Sequence, residues 1–232
     1  VNLVERLRGK FIVFDGPDGC GKTTQLDRLR ALLAQAGLPV VLGKDPGGTQ
    51  IGQRIRHVLL DYDLTDMDVR CETFLFMASR AQLVGEVIEP ALAAGKTVLC
   101  DRFISATCAY QGAAGYDVRK VIEAGRLAVG ETWPHLTVVL DLPVEEGFRR
   151  TGRKPHHAGR NRRRHAGGQQ SFFDDSDVNA MEARPIEYHR RVREKFLALP
   201  GIYPRPVVVV DGTGDPDAVH RRVLEAIERA DL

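Results

Sequence analysis

The stretch Phe11-Ile12-Val13-Phe14-Asp15-Gly16-Pro17-Asp18-Gly19-Cys20-Gly21-Lys22-Thr23-Thr24 decides how this chain folds. Its first residues form a short apolar run rich in β-formers, the signature of a buried strand. From Gly16 to Thr23 the spacing is GxxxxGK[ST], and a helical pattern follows at once. Glycines let backbone N–H groups turn inward around an anion, and the helix that begins there sets its positive end on the same charge. That context between strand and helix sets aside a chance Gly-rich turn. The candidate ATP-binding residues are therefore Gly16, Pro17, Asp18, Gly19, Cys20, Gly21, Lys22, Thr23 and Thr24. Lys22 is expected to reach the β/γ oxygens, and the Thr23 hydroxyl to ligate Mg2+.

Working outward, similar apolar runs recur at Pro39–Leu42, Thr97–Cys100, Leu136–Leu140 and Val207–Val210. Helical patterns lie between them. Leu26, Leu29 and Leu33 share one helix face, and Val219, Val223, Ile227 and Ala230 share another that opens at Asp215-Pro216. Val69–Ala94 and Asp177–Leu199 also carry helical patterns, with Pro185 expected to start the second one late or to kink it. Alternating strands and helices predict an α/β fold: a doubly wound, parallel, five-stranded sheet flanked by helices. A length of 232 residues suits one domain, 1–232. An Arg-rich excursion over about 149–176 stands out as a lid insertion, too long for an ordinary α/β connection.

The formal charge of +2 is nearly balanced and gives no reason to expect a nucleic-acid partner. Cys20, Cys71, Cys100 and Cys108 form no CxxC pair and have no histidine at zinc-ligand spacing, so free thiols in a reducing cytoplasm are expected. No apolar run is long enough to span a bilayer. An Asn-Lys-x-Asp element, which would read guanine, is absent, so a GTPase is disfavoured.

A second cluster follows the third strand. Asp101 and Arg102 stand at a strand's carboxyl end, where α/β proteins bind ligands. Asp101 could hold Mg2+ through water and Arg102 could grip an acceptor phosphate; a structural ion pair between them is the alternative. Phe76 and Arg80, four residues apart, share one helix face. Taken alone, Phe76 would be core packing.

Together these words resemble the bacterial thymidylate kinase family. The matching stretches are Phe14 to Thr24, Asp45-Pro46-Gly47-Gly48-Thr49, Glu72 to Arg80, and Asp101-Arg102-Phe103 with Ala109-Tyr110-Gln111-Gly112, in the family's order and spacing. The resemblance implies transfer of the ATP γ-phosphoryl group to thymidine monophosphate (dTMP), with Mg2+ and a homodimer whose interface includes Val69–Ala94. It implies that Phe76 stacks on thymine, Arg80 bonds its carbonyl edge, and Thr107 and Gln111 line the base pocket. It further implies that Asp18 accepts from the sugar 3′-hydroxyl, Tyr110 sits under the sugar, and Arg56 and Arg102 contact the nucleotide. Lys44, Asp45 and Ala106 depart from the usual Arg, Glu and Ser.

Between Arg149 and Arg164 lie eight basic residues and no acid. Such a run repels itself until an anion gathers it. Gly19 stands where some thymidylate kinases carry a P-loop arginine, and members lacking that arginine typically supply one from the lid. Arg153 or Arg160 is therefore the expected catalytic arginine beside Lys22 and Arg102. No aromatic residues interleave with the arginines as a nucleic-acid binder would require. His156, His157 and His165 are taken as solvated loop residues. Two other functions stay open: a kinase for another nucleoside monophosphate or a deoxynucleoside, and a nucleotide-dependent binding protein without turnover.

Overall fold

The structure, a computed structural model, describes residues 3–60, 67–154, 181 and 184–232. Five strands, β1 (Phe11–Asp15), β2 (Val40–Lys44), β3 (Thr97–Asp101), β4 (Leu136–Asp141) and β5 (Val207–Asp211), form one sheet in the order β2-β3-β1-β4-β5. All pairings are parallel. β1 is wholly buried and central, as its unbroken apolar sequence requires. The second strand runs to Lys44, two residues beyond the apolar run, because its pairing with β3 continues through Lys44 and Asp101.

The helices are α1 (Leu3–Leu7), α2 (Lys22–Gln35), α3 (Gln50–Leu60), α4 (Val69–Leu83), α5 (Glu89–Ala93), α6 (Ile104–Ala113), α7 (Val118–Val129), α8 (Val144–Arg150), α9 (Ile186–Ala198) and α10 (Pro216–Arg229). Alternation along β1 divides the core. Ile12 and Phe14 pack with Leu26, Leu29 and Leu33 of α2 and Val219, Val223 and Ile227 of α10. Phe11 and Val13 face the opposite layer with Phe103, Tyr110, Val192 and Phe196. The Phe11 and Phe103 rings meet edge to face at 5.1 Å, a favoured aromatic geometry.

The predicted long helix Val69–Ala94 is instead interrupted: a π-helical turn, Val84–Ile88, separates α4 from α5. Pro90, at the start of α5, cannot donate a backbone bond, and the wider turn precedes it. Pro185 sits immediately before α9 and so starts that helix late, as its ring dictates. Asp215 caps α10 by accepting from the N–H groups of Asp217 and Ala218.

Parallel pairing brings every strand's carboxyl end to one edge. From β1 the chain leads to β2 on one side; from β3 it leads to β4 on the other. A crevice therefore opens between β1 and β3, at the point where the connections diverge.

Candidate active site

The loop expected to cradle phosphate occupies 16–21, and Lys22, Thr23 and Thr24 open α2. Lys22 is buried, and its Nζ donates to the carbonyl oxygens of Gly16 at 3.2 Å and Pro17 at 3.0 Å. Gly19 has φ +75°, and a Cβ there would lie 2.5 Å from the carbonyl oxygen of Gly147 on α8. Contact of backbone against backbone leaves no room for a side chain there, an arginine included, unless the two segments move apart.

Arg102, just beyond β3, holds a φ of 68°. For a residue with a Cβ the left-handed region costs roughly 1–2 kcal/mol. That cost is offset by what the side chain reaches. Its guanidinium donates to Asp15 Oδ1 at 3.2 Å, Gly16 O at 3.2 Å, Asp18 Oδ1 at 2.7 Å and Tyr110 Oη at 3.1 Å. It also lies 4.9 Å from the centre of the Tyr110 ring. Asp15 is fully buried, and burial pushes its carboxyl up despite Arg102 and a 2.6 Å bond from Ser105. Burial also works to raise the Asp18 carboxyl, but Arg102, Lys22, Arg153 and His189 outweigh it and bring the group down to about 2. Tyr110 donates its hydroxyl to Asp18 at 2.9 Å, and burial holds that phenol well above its ordinary value.

These groups open onto a cleft of about 260 Å³ lined by Asp18, Lys22, Lys44, Asp45, Pro46, Arg56, Leu60, Phe76, Arg80, Asp101, Arg102, Ala106, Thr107, Tyr110, Gln111 and Met181. Phosphate-loop residues and every base- and sugar-pocket candidate thus share one cavity. Arg80, expected to bond the base, is already engaged by the protein. Its Nε pairs with Asp45 at 2.5 Å, one terminal nitrogen faces the Met77 sulfur, and the other donates to Phe103 O and Thr107 Oγ1. Arg56 is half-buried and donates to Pro46 O at 3.2 Å. Asp101 Oδ1 is buried with no hydrogen-bond partner among the described residues, while Thr23 is exposed at the start of α2. Hard oxygen donors of that kind suit Mg2+, which takes few protein ligands and keeps several waters. No cluster of three or more His, Cys, Asp or Glu that could hold a metal occurs among the described residues.

The family model for thymidylate kinase matches residues 14–223. The chain belongs to the thymidylate kinase family. It is 40% identical to the thymidylate kinase of Nitratidesulfovibrio vulgaris, over 94% of this chain and 95% of that one. Identity to the thymidylate kinase of Desulfosudis oleivorans is 42%, over 94% and 96%. For that of Herpetosiphon aurantiacus it is 41%, over 94% of each.

Of the two expected lid arginines of this thymidylate kinase family member, Arg153 lies 3.4 Å from Asp18 Oδ2 and 3.3 Å from His189 Nε2, with its guanidinium 4.5 Å from the Phe148 ring centre. Arg160 lies outside the described residues, as do His156, His157, His165 and most of the 149–176 excursion. Sequence reasoning missed Met181 in the cleft wall, His189 beside Arg153, and Arg184, which pairs with Glu72 at 2.8 Å. Nothing local marks them, because they return to the site only after a long excursion in sequence. No described helix is long and apolar enough to cross a membrane.

Proposed function

We infer that this chain transfers the γ-phosphoryl group of ATP to dTMP, giving the diphosphate. The observation that carries this reading is the shared cleft, in which Lys22 and Asp18 of the phosphate loop face the same space as Phe76, Arg80, Thr107 and Gln111. ATP would be held by Gly16 to Thr24, with dTMP head to head against it. Phe76 would stack on thymine, and Tyr110 would fill the space beneath the sugar. Asp18 would trade its present bonds for the 3′-hydroxyl, and Arg56 would contact the nucleotide. Arg80, already braced by Asp45, would present its remaining donor capacity to the base.

The acceptor phosphate oxygen would attack γ-phosphorus in line, without a covalent enzyme intermediate. Positioning and charge then supply most of the rate. Lys22, Arg102 and Arg153, which contact Gly16, Pro17 or Asp18, would share the phosphate charge, and Arg160 is the alternative lid arginine. Incoming phosphates offer Arg102 stronger charge-assisted bonds than Gly16 O does. Thr23 and Asp101 would hold Mg2+, Asp101 through water, and the ion would supply charge neutralisation on the phosphates.

A homodimer is supported by apolar side chains left exposed on adjoining helices: Ile51 and Val58 on α3, Phe74 on α4 and Leu127 on α7. The free thiols fit a reducing cytoplasm. The decisive experiment is a coupled ADP-release assay with ATP, Mg2+ and each of the four common deoxynucleoside monophosphates. dTMP should be the preferred acceptor. Faster turnover of another acceptor would redirect the reading, and binding without any diphosphate product would replace it with a non-catalytic role.

A further inference from the structure

Gln111, on α6, is fully buried and lines the cleft. Its Nε2 donates to Glu72 Oε2 at 3.0 Å. The other carboxylate oxygen of Glu72 accepts from Arg184 at 2.8 Å. Glu72 is buried on α4, one helical turn before Phe76, and is not part of the cleft wall.

This arrangement leaves the amide one orientation. A carboxylate paired with a guanidinium offers only acceptors, so the Gln111 nitrogen must face Glu72 and the oxygen must face away. That oxygen, Oε1, is buried and has no hydrogen-bond partner among the described residues. An unmatched buried acceptor is costly, and a ligand N–H entering the cleft would relieve that cost.

We propose that Glu72 is a positioning residue for specificity: by holding the Gln111 amide, it aims a carbonyl oxygen into the cleft and so selects bases that carry a ring N–H. Thymine and uracil present such an N–H at N3, flanked by two carbonyls. Cytosine presents a lone pair there, which would meet Oε1 acceptor against acceptor. A site built to bond an N–H discriminates strongly against an analogue without it. The inference rests on dTMP being the acceptor substrate.

The test is Glu72→Gln, which preserves size and shape. Arg184 only donates, so it takes the amide oxygen of the new side chain as a charge-assisted bond and leaves the NH2 group to face Gln111. Gln111 must then turn its oxygen inward and its NH2 into the cleft. The ratio of kcat/KM for dTMP over dCMP should fall at least about tenfold, by gain on dCMP as well as loss on dTMP. Arg184→Ala removes the ion pair but keeps the carboxylate, so the ratio should stay within about threefold of wild type even if stability drops. A purely structural role for Glu72 would lower both substrates alike and leave the ratio unmoved, and that result in a folded Glu72→Gln variant overturns the proposal. A second measurement needs no variant: 15N3-labelled dTMP bound to the wild-type protein should show an imide proton protected from exchange with water. Free exchange of that proton also overturns it. If the wild-type protein forms no dTDP from dTMP, the proposed function fails; dTDP formation with unaltered discrimination in Glu72→Gln sinks this inference alone.

Discussion

Replacing Arg80 with Met leaves Asp45 as a buried carboxylate without its cation. The side chains of Asp45 and Arg80 are 0% and 1% exposed, and their bond is 2.5 Å long. Removing one partner of such a pair typically costs about 3–5 kcal/mol, because the remaining charge keeps its desolvation penalty without the compensating attraction. At about 2–4 °C per kcal/mol for a domain of this size, the melting temperature should drop by roughly 6–20 °C. Burial already holds the Asp45 carboxyl above its ordinary value of 3.8, with Arg80 the chief opposing influence, so removing Arg80 drives it further up. A carboxyl raised in the folded state favours folding below its unfolded pKa and loses that contribution as pH rises toward the folded value. The deficit of Arg80→Met should therefore be larger at pH 8 than at pH 5. Urea unfolding of the nucleotide-free protein at both pH values measures this, and keeps stability separate from any role in binding dTMP. Arg80→Met combined with Asp45→Asn should recover at least half of the loss, since an amide needs no counter-ion. A deficit below about 1 kcal/mol, or one equal at both pH values, would refute the coupling of these two groups.

Lys22→Ala should lower turnover by roughly a thousandfold or more while the protein stays folded; near-normal ADP release would remove Lys22 from the phosphate-binding role. Gly19→Ala should destabilise by about 2–5 kcal/mol, from the left-handed backbone together with the clash against Gly147, and denaturant unfolding that matches wild type would contradict the close approach of the two backbones. Phe74→Glu, at a side chain 60% exposed, should abolish the proposed homodimer and leave a monomer in sedimentation velocity with little change in secondary structure. An unchanged sedimentation coefficient would move the pairing surface elsewhere.

The phosphate loop was legible because its chemistry is local. A strand, a run of glycines and a helix start are neighbours in the chain, and each has its own residue signature. The five strands and the face of α10 were legible for the same reason, their periodicity being a property of short segments. The π-helical turn was not: Pro90 is visible in the sequence, but a proline lacking its N–H permits a kink, a break or a widened turn, and only the fold shows that Val84–Ile88 takes the widened one.

What the amino-acid order determined alone was the inventory: the GxxxxGK[ST] spacing within Gly16 to Thr24, Asp101 and Arg102 at a strand end, Phe76 and Arg80 a helical turn apart, and a surplus of arginine after Phe148. Only the tertiary structure decided who faces whom. Arg80 meets Asp45, Arg102 spans Asp15 and Asp18, Gln111 turns its nitrogen to Glu72, and Gly19 packs against Gly147. Hydrogen bonds and ion pairs act over a few ångströms of space, and these partners stand tens of residues apart in sequence. The parallel sheet gathers the carboxyl ends of distant strands at one edge, which brings Arg102 to Asp15 and Asp18, and the packing of α4 on α6 brings Glu72 to Gln111.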